Sequence, residues 1–269
     1  MIIDFHTHVF PDKIAAKTID ALKAKSNNQP YSNGSVDGLL SEMERASIDV
    51  AISHPVMTSP TQFDSVTRFA AEVNARFENS TPKIISFAGI HPACENIEEK
   101  MNYISECGFK GVKIHPDYQN TFITDESYGK IFACAEKLGL IVITHAGVDG
   151  AYRDTQTKCT PAMAKEIIRQ YPDLKLVLAH YGSNEMFDEV EELLCGERVY
   201  FDTAFILRYI GKEKFIKILE KHGADRILFA TDSPWSGIKE DLDIIRSFGL
   251  DKATEQKILC DNARALLCI

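Results

Sequence analysis

The hydrophobic residues of this chain cluster in eight short runs. These runs are nearly continuous, not alternating with polar residues, which is typical of strands that are buried on both faces. The pattern predicts eight β-strands, spread from the first residues to position 232. In chain order the runs are IIDFH (2–6), VAISH (50–54), IISFAGIH (84–91), GVKIH (111–115), LIVITH (140–145), LKLVLAH (174–180), VYFDT (199–203) and RILFATD (226–232).

Segments with apolar residues at helical spacing separate the runs. The clearest are 35–48, 125–139 and 159–172. Ser35 is a suitable N-terminal cap for the first segment, and Gly139 is a suitable stop for the second. The third begins with a threonine cap followed by proline at the first helical position. The chain therefore predicts helices in alternation with strands.

Alternating strands and helices indicate parallel βα units, which close either as an open doubly wound sheet or as a barrel. Eight strands in 269 residues favour an α/β fold of the (β/α)8 TIM-barrel type. No GxGxxG sequence follows any strand, so the dinucleotide-binding fingerprint is missing. Because no linker or change in composition interrupts the chain, we expect residues 1–269 to form a single domain.

Composition limits the classes of binding partner and the cellular compartment that we expect for this protein. The net charge is −9, which argues against a nucleic-acid or anionic-membrane binder, and the apolar runs are too short to span a bilayer. Seven cysteines without CxxC spacing are typical of reduced thiols. We therefore expect a cytoplasmic protein that acts on a small molecule, with a homodimer as the default oligomeric state.

Seven of the eight histidines fall at the ends of predicted strands, where a barrel carries its catalytic groups. Asp232 closes the eighth strand in the same way, whereas His222 lies in a helical stretch and is expected to be solvated. His6 and His8 are two residues apart, so they project from the same face of the first strand. The strand-end histidines are His6, His8, His54, His91, His115, His145 and His180.

This distribution predicts a metal site. Imidazole nitrogens and carboxylate oxygens are ligands of zinc and related divalent ions, and a catalytic site needs three or four of them with one open position. His6, His8, His145 and Asp232 offer such a set, with His180 nearby. The ion would lower the pKa of a bound water, and Asp232 could accept or position its proton.

Five motifs resemble the amidohydrolase superfamily: DFHTH, ITHAG, LAHYG, ATDSPW and ILCDNARALL. The stretch GFKGVKIHP (108–116) is similar to the amidohydrolase-2 branch, which includes aminocarboxymuconate semialdehyde decarboxylase. The resemblance implies a (β/α)8 barrel with a divalent metal, commonly Zn²⁺, although Mn²⁺ and Fe²⁺ share these ligands. It also implies that His6, His8, His145 and Asp232 bind the metal, while His180 acts as catalytic acid or base or helps to hold a second ion.

The fourth strand leaves alternatives open. Lys113 and His115 share one face of it. Lys113 could bridge two metals if carboxylated, as in binuclear members of the superfamily, could bind a substrate anion, or could pair with a buried carboxylate. We expect His115 to line the pocket and a single ion to be held tightly.

Other residues are candidates for substrate binding. Arg153 could hold a substrate carboxylate with two hydrogen bonds, with Lys158 and Arg208 as alternatives. Trp235 could form part of the substrate wall or pack under the last loop. Asp202, at the end of the seventh strand, is expected to point to the same mouth as Asp232.

The sequence predicts a hydrolase in which metal-activated water attacks an ester, lactone or amide carbon of a small, carboxylated substrate. The alternative is a non-oxidative decarboxylase or hydratase of an unsaturated or aromatic acid, because the same ligands serve both reactions. A TatD-like deoxyribonuclease is disfavoured because no glutamate lies in the fourth strand, GVKIHP. A non-catalytic metal-binding module is disfavoured because an acid/base candidate accompanies the ligands.

Overall fold

The apolar runs pair as parallel strands around a barrel in a computed structural model, which describes residues 1–269. The third run is divided into two short strands, so nine strands occupy the eight strand positions of the barrel. The predicted (β/α)8 architecture is confirmed. The strands are β1 (Ile3–Thr7), β2 (Val50–Ser53), β3 (Lys83–Ser86), β4 (Ala88–Gly89), β5 (Gly111–Ile114), β6 (Ile141–Thr144), β7 (Lys175–Leu178), β8 (Tyr200–Asp202) and β9 (Ile227–Leu228).

The three predicted helices form close to their expected positions. Ser35 caps the first by accepting a hydrogen bond from Gly38 N at 3.0 Å, and Gly139 ends the second at a φ of 68°. The α-helices are α1 (Asp12–Ser26), α2 (Val36–Ala46), α3 (Phe63–Arg76), α4 (Ile97–Glu106), α5 (Glu126–Leu138), α6 (Pro161–Gln170), α7 (Phe187–Leu193), α8 (Lys212–His222), α9 (Ile238–Ser247), α10 (Lys252–Gln256) and α11 (Asn262–Leu267). None of them combines the length and apolar character that crossing a bilayer requires.

Backbone hydrogen bonds close the barrel between β1 and the segment that contains β9, the last strand. Phe5 N–H donates to the carbonyl of Phe229 at 2.9 Å, and Asp232 N–H donates to the carbonyl of His6 at 2.8 Å. The side chain of Asp4 reinforces this seam, because it accepts from Thr231 Oγ1 at 2.6 Å and from Thr231 N at 3.1 Å. Asp4 is fully buried, which raises the pKa of its carboxyl to about 8. Its role is structural.

Two apolar layers support the barrel. The larger lies between the strands and the surrounding helices, and the smaller fills the barrel interior. Leu266 and Leu267 of α11 pack into the interior layer with Phe5 and Phe87. Each such side chain contributes about 1.5–3 kcal/mol when buried. Apolar side chains therefore fill most of the barrel interior, and polar residues collect at the carboxyl ends of the strands.

His222 is buried, so the expectation of a solvated helix end is wrong. Its side chain is 4% exposed and stacks on the ring of Phe201, with centroids 4.0 Å apart. Its Nε2 donates to the carbonyl of Val199 at 3.0 Å. Burial lowers the pKa of His222 to about 4. The folded chain therefore binds a proton at this position less readily than the unfolded chain does.

We predict that His222 makes the fold sensitive to mild acid. Its contribution is fully present above the unfolded pKa of 6.5 and is lost as the pH falls towards 4. Between pH 7 and pH 5 the free energy of unfolding should drop by about 2 kcal/mol from this group. The variant His222→Gln keeps a hydrogen-bonding side chain but does not titrate. Urea unfolding at both pH values should show a smaller drop for the variant, and equal drops would contradict the prediction.

Candidate metal centre

The carboxyl ends of the strands surround a cavity of about 510 Å³. Eight of the residues predicted from the sequence line it. Four other candidates do not: Arg153, Lys158, Arg208 and Asp202. The barrel therefore brings residues that are more than 200 positions apart in the chain together at the base of one cavity, which we call the cavity floor. The predicted residues on this cavity are His6, His8, Lys113, His115, His145, His180, Asp232 and Trp235.

The ring of His6 is oriented from behind by Asp202. His6 Nδ1 lies 2.8 Å from Asp202 Oδ2, while Asp202 Oδ1 accepts from the backbone N–H groups of His180 at 2.9 Å and Ala204 at 3.1 Å. On the other side Lys113 Nζ lies 3.0 Å from His6 Nε2. Because an ammonium can only donate, Nε2 carries the lone pair and Nδ1 carries the proton. The lone pair of His6 therefore points into the cavity.

The ring of His8 is oriented in the same manner by a backbone carbonyl. His8 Nδ1 donates to the carbonyl of His54 at 2.7 Å, which leaves Nε2 facing Asp232 Oδ1 at 3.0 Å. Asp232 Oδ1 also lies 3.5 Å from His6 Nε2. A lone pair and a carboxylate oxygen this close attract each other only when a proton or a cation lies between them. The ligand atoms of His6, His8 and Asp232 all lie within 4.8 Å of one another, and we call these residues the metal triad.

The structure does not bring His145 into the metal triad. His180 Nδ1 donates to the carbonyl of Ala204 at 2.9 Å, so His180 Nε2 accepts the hydrogen bond from His145 Nδ1 at 2.9 Å. Burial lowers the pKa of both imidazoles to about 3, so both rings are neutral near pH 7. His145 Nε2 then carries a lone pair, faces Asp117 and Asp149 at 4.0 Å each, and has no hydrogen-bond partner.

Two residues of the site adopt left-handed backbone conformations. Asp232 has a φ of 66° and His180 a φ of 61°, in a region that costs non-glycine residues about 1–3 kcal/mol. The hydrogen bond from Asp232 N–H to the carbonyl of His6 holds the first, and the bond from His180 N–H to Asp202 holds the second. His180 follows β7 by two residues and Asp232 follows β9 by four, and both line the cavity.

Comparison with known proteins places this arrangement in a family. A family model described as amidohydrolase matches residues 3–269. The chain belongs to the amidohydrolase family. It is therefore an enzyme of that family, as its strand-end motifs indicated. No curated protein matches this amidohydrolase closely enough to be identified as a relative.

Solved structures share the fold of this amidohydrolase at low identity. An uncharacterised TIM-barrel protein from Bordetella bronchiseptica is 19% identical, with a TM-score of 0.77 over 99% of this chain and 98% of that chain. The 2,6-dihydroxybenzoate decarboxylase from Rhizobium is 18% identical, with a TM-score of 0.72 over 99% and 98%. A dihydroxybenzoic acid decarboxylase from Polaromonas sp. JS666, solved with manganese and 2-nitroresorcinol, is 17% identical, with a TM-score of 0.70 over 99% and 96%.

Lys113 is the only lysine or arginine that lines the cavity. Its side chain is 1% exposed, and its amine contacts His6 Nε2, not a carboxylate. Burial lowers its pKa to about 8, although the charges of Asp202 and Asp232 act in the opposite direction. Of the three roles left open by the sequence, direct pairing with a carboxylate is not what the structure shows.

Arg153 lies outside the cavity, contrary to the sequence-based expectation. Its guanidinium is 57% exposed and forms two hydrogen bonds to Glu185. Of the alternatives, Arg208 donates to the carbonyl of Trp235 at 2.9 Å and so supports the loop that carries this tryptophan. The protein therefore has no guanidinium on the cavity floor to hold a substrate carboxylate.

Two carboxylates of the site were missed from the sequence. Asp117 and Asp149 follow the fourth and fifth predicted strands by a few residues, in HPDYQ and HAGVDG. Burial raises the pKa of Asp117 to about 6 and raises that of Asp149 as well. The sequence does show that Asp117 lies two residues after His115 and that Asp149 lies four residues after His145. The alternation of side chains along a strand does not continue into a loop, so this spacing could not predict where the carboxylates point.

We predict that Asp202→Asn weakens divalent-cation binding by about 10- to 100-fold, the usual effect of removing a group that orients a ligand histidine. The amide nitrogen would face the Nδ1 proton of His6, and two donors repel. Titration with Mn²⁺ or Zn²⁺ would measure the affinity, and circular dichroism would verify the fold. An unchanged dissociation constant in a folded variant would remove Asp202 from the site.

Proposed function

We propose that this member of the amidohydrolase family is a metal-dependent hydrolase that attacks the ester, lactone or amide carbon of a small substrate. The observation that carries the proposal is the metal triad. Two imidazole lone pairs, each fixed by a hydrogen bond on the opposite ring nitrogen, converge with Asp232 on the floor of one cavity. Such a convergence suits a cation and has no function in the packing of an apolar barrel.

The residues of the metal triad fit a divalent cation of intermediate softness. Two imidazoles and one carboxylate are a common catalytic set for Zn²⁺, and Mn²⁺ and Fe²⁺ accept the same donors. The manganese in the Polaromonas decarboxylase supports this class of ion. His145, the fourth predicted ligand, keeps a free lone pair on Nε2, but its ligand atoms are not grouped with those of the triad.

When bound, the cation would supply a Lewis acid that lowers the pKa of water towards 7. Burial raises the pKa of Asp232, but its contacts with His8 and neighbouring positive charge outweigh this effect and keep the pKa below its usual value. Asp232 is therefore ionised and can accept a proton. His180 Nε2 is unprotonated and receives its hydrogen bond from His145, so this pair can move a second proton.

The cavity wall indicates the shape of the substrate. Apolar side chains from α1, α3 and the loops after several strands surround a floor that is polar, so the substrate should have an apolar or aromatic body and one polar end. Lys113 is the only fixed cation available to that polar end. The wall residues include Phe10, Ile14, Leu22, Val66, Phe69, Val148, Phe205 and Trp235.

A second candidate is a non-oxidative decarboxylase of an aromatic or unsaturated acid. Two of the three structural neighbours described above are decarboxylases of dihydroxybenzoic acids, and the apolar wall would accept a benzene ring. In this reaction Lys113 would hold the substrate anion beside His6. His180 would have to supply the proton that replaces carbon dioxide, which its neutral state does not favour.

The double variant His6→Ala/His8→Ala tests the metal triad. We expect it to lose one divalent cation per chain relative to the wild type, because two of three ligands are removed. Elemental analysis after loading with Zn²⁺ or Mn²⁺ and removal of the excess gives the content. His91→Ala is the matched control, since His91 also ends a predicted strand but does not line the cavity. Equal metal content in both variants would overturn the triad.

A substrate screen separates the two reactions. Lactones, esters and amides with aromatic bodies form one panel, and aromatic or unsaturated carboxylic acids form the other, with carbon dioxide measured directly. Hydrolysis without release of carbon dioxide supports the first candidate, and release of carbon dioxide from the acids supports the second.

With the active substrate, Asp232→Asn at saturating metal should lower turnover by about 10²- to 10⁴-fold, the range for loss of an acid or base. Near-normal turnover would exclude Asp232 from the reaction.

A further inference from the structure

We propose that the substrate extends into a second, smaller cavity, where Arg208 and Tyr31 bind an acidic group at its far end. This inference rests on the function proposed above and adds the class of substrate to it. The substrate is a small molecule with a carboxylate or phosphate group remote from the reacting carbon. The second cavity has a volume of about 280 Å³, and both Arg208 and Tyr31 line it.

Three residues line both cavities, so one ligand can occupy the two together. They are Asn28, from the loop after α1, Phe205, from the loop after β8, and Trp235, from the loop after β9. The backbone N–H of Tyr31 donates to the carbonyl of Pro234 at 2.7 Å, which joins the first of these loops to the last. The combined site has the metal triad in one cavity and Arg208 in the other.

The two cavities differ in charge. Arg208 is the only charged residue of the second cavity, whereas the carboxylates of Asp149 and Asp232 line the first. The side chain of Arg208 is 34% exposed, so a ligand can reach its guanidinium. Hydrogen bonds from a guanidinium to a carboxylate or phosphate are among the strongest in proteins. The second cavity therefore suits an anion.

The guanidinium of Arg208 is held in place but keeps free donors. Its Nη2 donates to the carbonyl of Trp235 and to Ser236 Oγ, and its Nη1 makes one 3.3 Å contact with the hydroxyl of Tyr31. A guanidinium has five N–H groups, and these contacts use three of them. Because the Tyr31 oxygen accepts from Arg208, the Tyr31 proton can be donated to the same anion. The rings of Tyr31 and Phe205 lie 5.1 and 5.8 Å from the guanidinium carbon and limit its movement.

The acid closest to Arg208 does not satisfy it. Asp241 Oδ1 lies 3.8 Å from Arg208 Nε, which is beyond hydrogen-bond distance, and Asp241 lines neither cavity. Burial raises the pKa of Asp241 to about 7, so its carboxyl is only partly ionised near neutral pH. The charge of Arg208 is therefore not fully neutralised within the protein, and an anion in the second cavity would pair with it.

The fluorescence of Trp235 can report binding, because Trp235 is the only tryptophan of the chain and lines both cavities. Phenylphosphonate and methylphosphonate carry the same anionic group on a large and a small apolar body. We expect phenylphosphonate to change the emission of the metal-loaded protein and to bind at least tenfold more tightly than methylphosphonate. Equal affinities would indicate a site for free anions and would overturn the assignment to a substrate, as would the absence of binding by either probe.

Arg208→Gln tests the role of the guanidinium. This variant should bind phenylphosphonate at least tenfold more weakly, because the charge is removed. Arg153→Gln is the matched control and should bind as the wild type does, since Arg153 lines neither cavity. Circular dichroism verifies the fold. If Arg208→Gln does not fold, Tyr31→Phe decides, with at least a threefold loss expected from removal of the hydroxyl. An unchanged affinity in the deciding variant would overturn the proposal.

The variant His6→Ala/His8→Ala separates this proposal from the function proposed above. Neither histidine lines the second cavity, so the variant should bind phenylphosphonate as tightly as the wild type even after it has lost its metal. If binding is lost with the metal but kept in Arg208→Gln, the anion binds the metal, the second cavity is excluded and the metal triad stands. If binding depends on Arg208 while the histidine variant keeps its metal, the second cavity stands and the metal triad is overturned.

Discussion

The hydrogen bond on one imidazole nitrogen decides what the other nitrogen can do, and the whole site depends on this constraint. His6, His8 and His180 each have Nδ1 held by an oxygen that belongs to the barrel itself: the carboxylate of Asp202 or a backbone carbonyl. Each Nε2 is thereby left as an acceptor in the cavity. The acceptors that fix the rings lie at or just after the ends of β2 and β8, so the chemistry is anchored in the barrel.

Closure of the barrel is what makes this anchoring possible. Where β1 meets the segment that contains β9, a backbone hydrogen bond joins His6 to Asp232. A side-chain hydrogen bond between Asp4 and Thr231 links the same two segments one layer below. Because the first and last strands are neighbours only in a closed barrel, the metal triad cannot assemble until the fold is complete. Asp4 therefore supports the site without touching the cavity.

The sequence was sufficient for the positions of the strands and for which residues end them, because burial and the period of two determine both. It placed His6 and His8 on one face, and the structure agrees. It could not give the direction of a ring. His145 ends its strand as expected, but its rotation depends on His180 and Ala204, which are distant in the chain.

Loops and helix ends were harder for the same reason. Arg153 is paired with Glu185, and His222 is buried against Phe201, through contacts that local sequence does not encode. Asp117 and Asp149 belong to loops whose course is set by packing against neighbouring loops. Their carboxylates could be seen in the sequence, but their convergence on His145 could not.

The acceptors on the cavity floor also couple metal binding to stability. A cluster of buried lone pairs and carboxylates opposes folding, and the apolar layers of the barrel must offset that cost. A cation that binds the folded chain relieves the repulsion and stabilises the fold by RT ln(1 + [L]/Kd), which is about 4 kcal/mol at a thousandfold excess over Kd. The polar floor is thus the part of the barrel that gains most from a ligand. An arrangement of this kind is expected where selection has acted on binding at the expense of packing.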